Sequence, residues 1–201
     1  MTFYEQLQTA AVSLGANWLV DFGALNIVGV RNTVELDANS FNDLVCIAYM
    51  SRTYGPCVLI CEATTDPGIY WRKNLANVKG TAVLPRGHHK RLWCLGKHQG
   101  KYVALVQSSP VGVLRDRNRD SKIDLNGVLD VGMHGIALHR ANEHVESKQV
   151  DKWSAGCQVI ASPAQYDRVI ELAHTHARTL GNSFDYTLVH DVDIGLKWGG
   201  K

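Results

Sequence analysis

"LVCIAYMSRTYGPCVLICEA", Leu44 to Ala63, holds two apolar runs parted by a short turn-rich stretch that ends in Gly55 and Pro56. Both runs are short and rich in β-branched and aromatic residues, which suits a pleated, half-buried surface. The same texture recurs in "LNIVGVR" from Leu25, "TAVLP" from Thr81, "RLWCLG" from Arg91, "YVALVQ" from Tyr102, "VGVLRD" from Val111 and "HGIALHR" from His134. Gly, Asn, Asp and Pro separate them. The reading is a series of β-strands, closed by "SFDYTLVH" (Ser183–His190), in which Phe184, Tyr186 and Leu188 alternate.

Two helices frame this β-rich body. Thr2 and Glu5 have capping-box spacing, Phe3, Leu7, Ala10, Ala11 and Leu14 recur at helical intervals, and Gly15 ends the run. Further on, Ser162 is the N-cap, Pro163 the first helical residue, and Gln165 completes a second capping box. Tyr166, Val169, Ile170, Ala173, Ala177 and Leu180 form its apolar stripe, and Gly181-Asn182 stops it. His174 and His176 on this helix are expected to face solvent. The fold class is mainly β with two helices, α+β.

A chain of 201 residues with 45% hydrophobic and 20% charged residues is sized for one compact domain. Residues 1–60 are expected to supply the N-terminal helix and strands packed on the core, and 61–201 the catalytic region. A net charge of +2 gives no argument for nucleic acid. No run approaches 18 apolar residues, and the first 15 residues lack a signal-peptide pattern, so synthesis in the cytoplasm is expected. The five cysteines, Cys46, Cys57, Cys61, Cys94 and Cys157, are odd in number and irregular in spacing. Most read as small buried hydrophobes in a reducing compartment.

Cys157 differs, because it lies in "DKWSAGCQV" (Asp151–Val159). Gly156 permits unusual dihedrals, and backbone N–H groups of such a turn can point at a developing oxyanion. A cysteine there needs a base. His139 lies 18 residues earlier, at the end of "HGIALHR", and the polar stretch Arg140–Lys152 between them is expected to form a flap. Ser154 reads as the organiser of the turn through its hydroxyl.

His139 followed by Ser154-Ala155-Gly156-Cys157 resembles the signature of L,D-transpeptidase (YkuD-like) catalytic domains. "TTDPGIYW" (Thr64–Trp71) loosely resembles that family's Thr-Pro-x-Gly-x-Phe/Tyr strand, and the resemblance covers roughly Ala63 to Asp191. It implies a β-sandwich or barrel and a cysteine nucleophile acting on peptidoglycan stem peptides, without a cofactor. The assembly also resembles a phage-encoded lysin acting on the cell wall. Implied catalytic residues are Cys157, His139, Ser154 and Gly156. Substrate-side candidates are His134, Arg140, Trp153 and Ala155. Ala155 stands where the family usually has His, Val159 where it has Arg or Asn, and Arg140 where it has Gly or Ser. Hydrolysis is therefore expected over transfer.

Other constellations are open to blander readings. Asp116, Asn118, Asp120 and Asp124 match positions 1, 3, 5 and 9 of a calcium loop, but Ser121 and Gly127 replace its glycine and bidentate Glu. The alternative is an Asx-rich hairpin. His139, His144 and Cys157 lack zinc-site spacing. "HHKR" (His88–Arg91) reads as a basic turn. Two rival functions remain: an NlpC/P60-type wall peptidase pairing Cys157 with His174, His176 or His190, and a non-catalytic wall- or virion-binding module.

Overall fold

A computed structural model describes residues 1–36 and 39–198. Helix α1 (Phe3–Ser13) begins with the capping box read from the sequence: the Thr2 hydroxyl accepts from Glu5 N–H, and Thr2 N–H donates to Glu5 Oε2 at 2.7 Å. Its buried face, Tyr4, Leu7, Ala10 and Ala11, includes three residues that pack on Val28, Val30, Cys46 and Val189. Full burial of a side chain such as Leu7 contributes roughly 1.5–3 kcal/mol.

Eight strands close a barrel: β1 (Leu25–Arg31), β2 (Asp43–Ser51), β3 (Gly55–Thr64), β5 (Gly87–His98), β6 (Tyr102–Gln107), β9 (Leu138–Arg140), β10 (Gln158–Ile160) and β11 (Phe184–His190). The order around it is β1-β11-β5-β6-β9-β10-β3-β2. Closure removes the edges that would template aggregation. β1 and β2, within the first 60 residues, are integral staves. β1 is buried along its whole length because α1 covers one face and the barrel core the other. That double burial explains why "LNIVGVR" does not alternate. Phe184, Tyr186 and Leu188 of β11 all reach the main core, with Trp93, Leu105 and Ile47. β4 (Thr81–Val83), β7 (Val111–Asp116) and β8 (Val128–Gly132) form a separate three-stranded sheet.

Helix α3 (Pro163–Leu180) starts where expected, with Ser162 Oγ accepting from Gln165 N–H. Its second capping box is only half made, since Gln165 Nε2 donates to Ile60 O at 3.2 Å. Tyr166, Val169 and Ala173 pack into the barrel core.

Three local expectations are corrected. His176 is 4% exposed: its Nδ1 accepts from Leu25 N–H at 3.0 Å and its ring packs on Phe184. "HHKR" is the start of β5, and burial pushes His89 down to about 4. Ile69–Lys73 of the "TTDPGIYW" region is not a strand but a short helix, α2. Its N-cap, Gly68, packs so tightly on Asp151 that a Cβ would lie 2.1 Å from the Asp151 carbonyl oxygen.

Candidate active site

β9 and β10 are parallel, with Leu138 opposite Gln158, His139 opposite Val159 and Arg140 opposite Ile160. Gln158 N–H donates to Ala137 O at 2.8 Å, so the cysteine turn enters the sheet directly beside the "HGIALHR" segment. A parallel pair needs a crossover connection, and residues 141–157 provide it. This connection is tied down at several points and is no free flap. Ala141 N–H donates to Ile160 O (3.0 Å), Ser147 N–H to Ala161 O (3.2 Å) and Val150 N–H to Asn39 O (3.0 Å).

The turn is held from inside. Ser154 is fully buried; its Oγ donates to Cys157 O at 2.8 Å and accepts from Gly156 N–H at 3.1 Å. Ser154 is thus the organiser of the turn. Gly156 has φ +124°, and a Cβ there would sit 2.5 Å from Ala82 O, so only glycine fits. Because Gly156 N–H is committed to Ser154, it is not the oxyanion donor its position suggested. No acceptor for Cys157 N–H is found among the described residues.

Cys157 is half-buried, and its Sγ donates to Gly135 O at 3.5 Å. Desolvation pushes the thiol up to about 11, against an opposing pull from the Ala137 backbone. His139 is 4% exposed. Its Nδ1–H donates to Arg140 O at 2.7 Å, which leaves the Nε2 lone pair free to take a proton. The ring stacks on His98 at 4.2 Å between centroids. Burial first, and the neighbouring His98 second, lower His139 to about 4. At neutral pH the resting pair is therefore thiol and neutral imidazole. The Tyr102 hydroxyl lies 3.4 Å from His139 Nδ1 and 3.4 Å from Arg140 O, at the backbone-facing edge of the imidazole.

Two clefts flank the turn. One, beside His139, is lined by His98, Lys101, Tyr102, Arg140, Lys152 and Trp153. The other, beside Ala155, is lined by Trp71, Thr81, Ala82, Arg115, Met133 and His134. The substrate-side candidates are thus split between them. Trp153 and Ala155 are exposed. Arg140 lies 4.0 Å above the Tyr102 ring and pairs with Glu143 at 3.0 Å. His134 accepts from Arg115 Nη2 at 3.1 Å and donates through Nε2 to Asp130 O at 2.9 Å, so both ring nitrogens are occupied. Val159 is wholly buried with Phe41, Ala141 and Val150, and cannot meet substrate.

The calcium candidate resolves into Asx turns. Asn118 Oδ1 accepts from Asp120 N–H, Asp120 Oδ1 from Lys122 N–H, Asp124 Oδ1 from Asn126 N–H, and Asp116 Oδ2 from Asp124 N–H. Among the described residues no three His, Cys, Asp or Glu side chains are grouped to hold a metal.

His98, Tyr102 and Gln158 escaped the sequence reading, because no local motif marks them. Of the features the NlpC/P60-type pairing needs, Cys157 precedes a strand rather than a helix, His174 is exposed, and His176 is bonded to Leu25; His190, its third candidate base, is half-buried at the end of β11. No family profile, curated protein or solved structure matches the chain. No helix among the described residues is long and apolar enough to cross a membrane.

Proposed function

We propose that the chain is a cysteine acyl-transfer enzyme that cleaves peptidoglycan stem peptides and passes the acyl group mainly to water. The observation that carries the chemistry is the parallel β9–β10 register, which sets the Cys157 turn against the segment ending in a tautomer-fixed His139. The substrate class rests on the resemblance of His139 and Ser154–Cys157 to L,D-transpeptidases.

In this reading Cys157 acts as a thiol that loses its proton as it attacks, since a resting thiolate is disfavoured by burial. His139 Nε2 takes the proton, and Sγ bonds to the scissile carbonyl carbon. Cys157 N–H donates to the oxyanion. His139 then returns the proton to the leaving amine as the C–N bond breaks, giving a thioester. Water, deprotonated by the same imidazole, adds to the thioester carbon; the C–S bond breaks, the acid leaves, and His139 returns the proton to Cys157. Ala155 favours this outcome: an exposed methyl offers no partner to an acceptor amine, whose desolvation is then uncompensated. Digestion of purified peptidoglycan, with mass spectrometry of the products, is the test. Shortened stems that require Cys157 support the proposal. Products dominated by cross-linked dimers would overturn the hydrolytic part, and the absence of any Cys157-dependent product would overturn the whole.

A further inference from the structure

Gln158 follows the cysteine directly, and its side chain is fully buried. Its Oε1 accepts from the Tyr186 hydroxyl at 2.7 Å. Its Nε2 lies 3.4 Å from Gly156 O and 3.4 Å from Thr65 O. Two carbonyls can only accept, so the end of the amide facing them is the NH₂. Tyr186 is fully buried too, and burial raises its hydroxyl well above the ordinary tyrosine value, so it stays a neutral donor. Its hydroxyl occupies the space that a Cβ on Gly29 would fill, 1.8 Å from that position. Gly29, Tyr186, Gln158 and Gly156 thus form a contact chain from β1, through the barrel interior, to the cysteine turn.

The consequence follows from peptide geometry. In a trans peptide unit the C=O and the N–H point in opposite directions. Gly156 C=O is drawn inward to the buried Gln158 amide, so the N–H of the same unit, that of Cys157, is turned away from the interior. Ser154 holds the units on either side, through Gly156 N–H and Cys157 C=O. Of the turn's N–H groups next to the nucleophile, Cys157 N–H is the one left for an incoming oxyanion.

We propose that Gln158, held by Tyr186, is the positioning residue of the oxyanion site: it orients the Gly156–Cys157 peptide so that Cys157 N–H meets the negative charge that develops during acylation. The proposal rests on the acyl-transfer reading of Cys157 but is independent of peptidoglycan as substrate.

Two reagents separate this role from a packing role. With iodoacetamide, Cys157 sulfur displaces iodide; the S–C bond forms as C–I breaks, and no oxyanion arises. With p-nitrophenyl acetate, sulfur adds to the ester carbonyl, the oxyanion forms, and collapse to the thioester expels p-nitrophenolate. Both adducts are quantified at Cys157 by peptide mass spectrometry, for the parent, Tyr186→Phe and Gln158→Met. Loss of an oxyanion donor typically costs about 10²–10³ in rate, so misorienting one is expected to slow acylation by about 10- to 100-fold. Alkylation should stay within about threefold, with its rise with pH unmoved. Tyr186→Phe removes a single oxygen and keeps the shape, so it carries the test if Gln158→Met misfolds. Equal loss in both reactions, or no loss in either, overturns the positioning role. A parent that acylates at no measurable rate overturns the acyl-transfer reading along with it.

Discussion

Acidification from pH 7 to 4.5 should destabilise the protein through His139, and the size of the effect follows from its burial. In the folded chain the imidazole is 4% exposed, stacked on His98 and lowered to about 4. In the unfolded chain it titrates near its ordinary 6.5. Between those values the unfolded chain binds a proton that the folded chain refuses, so stability falls as pH falls through the window from 6.5 to 4. By pH 4.5 the loss relative to pH 7 is about 2 kcal/mol, since each pKa unit is worth about 1.4 kcal/mol. Other groups overlie this. His89, also about 4, adds in the same direction. Asp43, raised to about 7 by burial and then by Asp66, works oppositely, because its folded form takes up a proton more readily. The effect must therefore be read as a difference, between the parent and His139→Asn, from urea unfolding at both pH values. The variant should gain about 2 kcal/mol relative to the parent on acidification. An unchanged difference between the two would refute the reasoning, because it would mean that His139 is no more proton-averse folded than unfolded.

Three further outcomes are expected. Gly156→Ala drives a Cβ into Ala82 O at a left-handed φ, so it should cost about 1–3 kcal/mol in thermal unfolding and abolish acylation; wild-type rates would contradict the packing described. Ser154→Ala removes both internal bonds of the turn and should cost about 2 kcal/mol with at least a tenfold slower reaction, so a loss of stability without loss of rate would exclude Ser154 as organiser of the site. Asp116→Ala combined with Asp120→Ala should leave the reaction rate unchanged, and added calcium should not raise the parent's melting temperature. A calcium-dependent rise seen in the parent alone would restore the metal-loop reading.

What the sequence reveals is what is local. The α1 capping box needs only Thr2 and Glu5, three residues apart, and it forms as read. The apolar runs become strands because each carries its own pattern. The segments that carry His139 and Cys157 become neighbours because a short crossover joins the parallel strands β9 and β10, in which His139 stands opposite Val159. Barrel closure is not visible, since β1 pairs with β11 across most of the chain. The same distance hides Gln158 and Tyr186, whose contact depends on which strands become neighbours, and His98, which reaches His139 only after β5, β6 and β9 pair. His176 stands on the same face of α3 as Tyr166, Val169 and Ala173, so helical spacing already places it inward; what the sequence hides is its partner, the Leu25 N–H at the start of β1. In "TTDPGIYW" no local pattern marks the short helix α2 or the close approach of its N-cap Gly68 to Asp151, a tertiary contact 83 residues away.

The central claim is that Cys157 forms an acyl intermediate with His139 as its base. Intact-protein mass spectrometry, on samples quenched in acid within seconds of mixing with a synthetic stem tetrapeptide, tests it directly. The account predicts a mass gain equal to the acyl part of the peptide, mapped by fragmentation to Cys157. It should be absent in Cys157→Ala and slowed by about 10² to 10⁴ in His139→Ala. An adduct on another residue, or one that forms at the parent rate without His139, would contradict it.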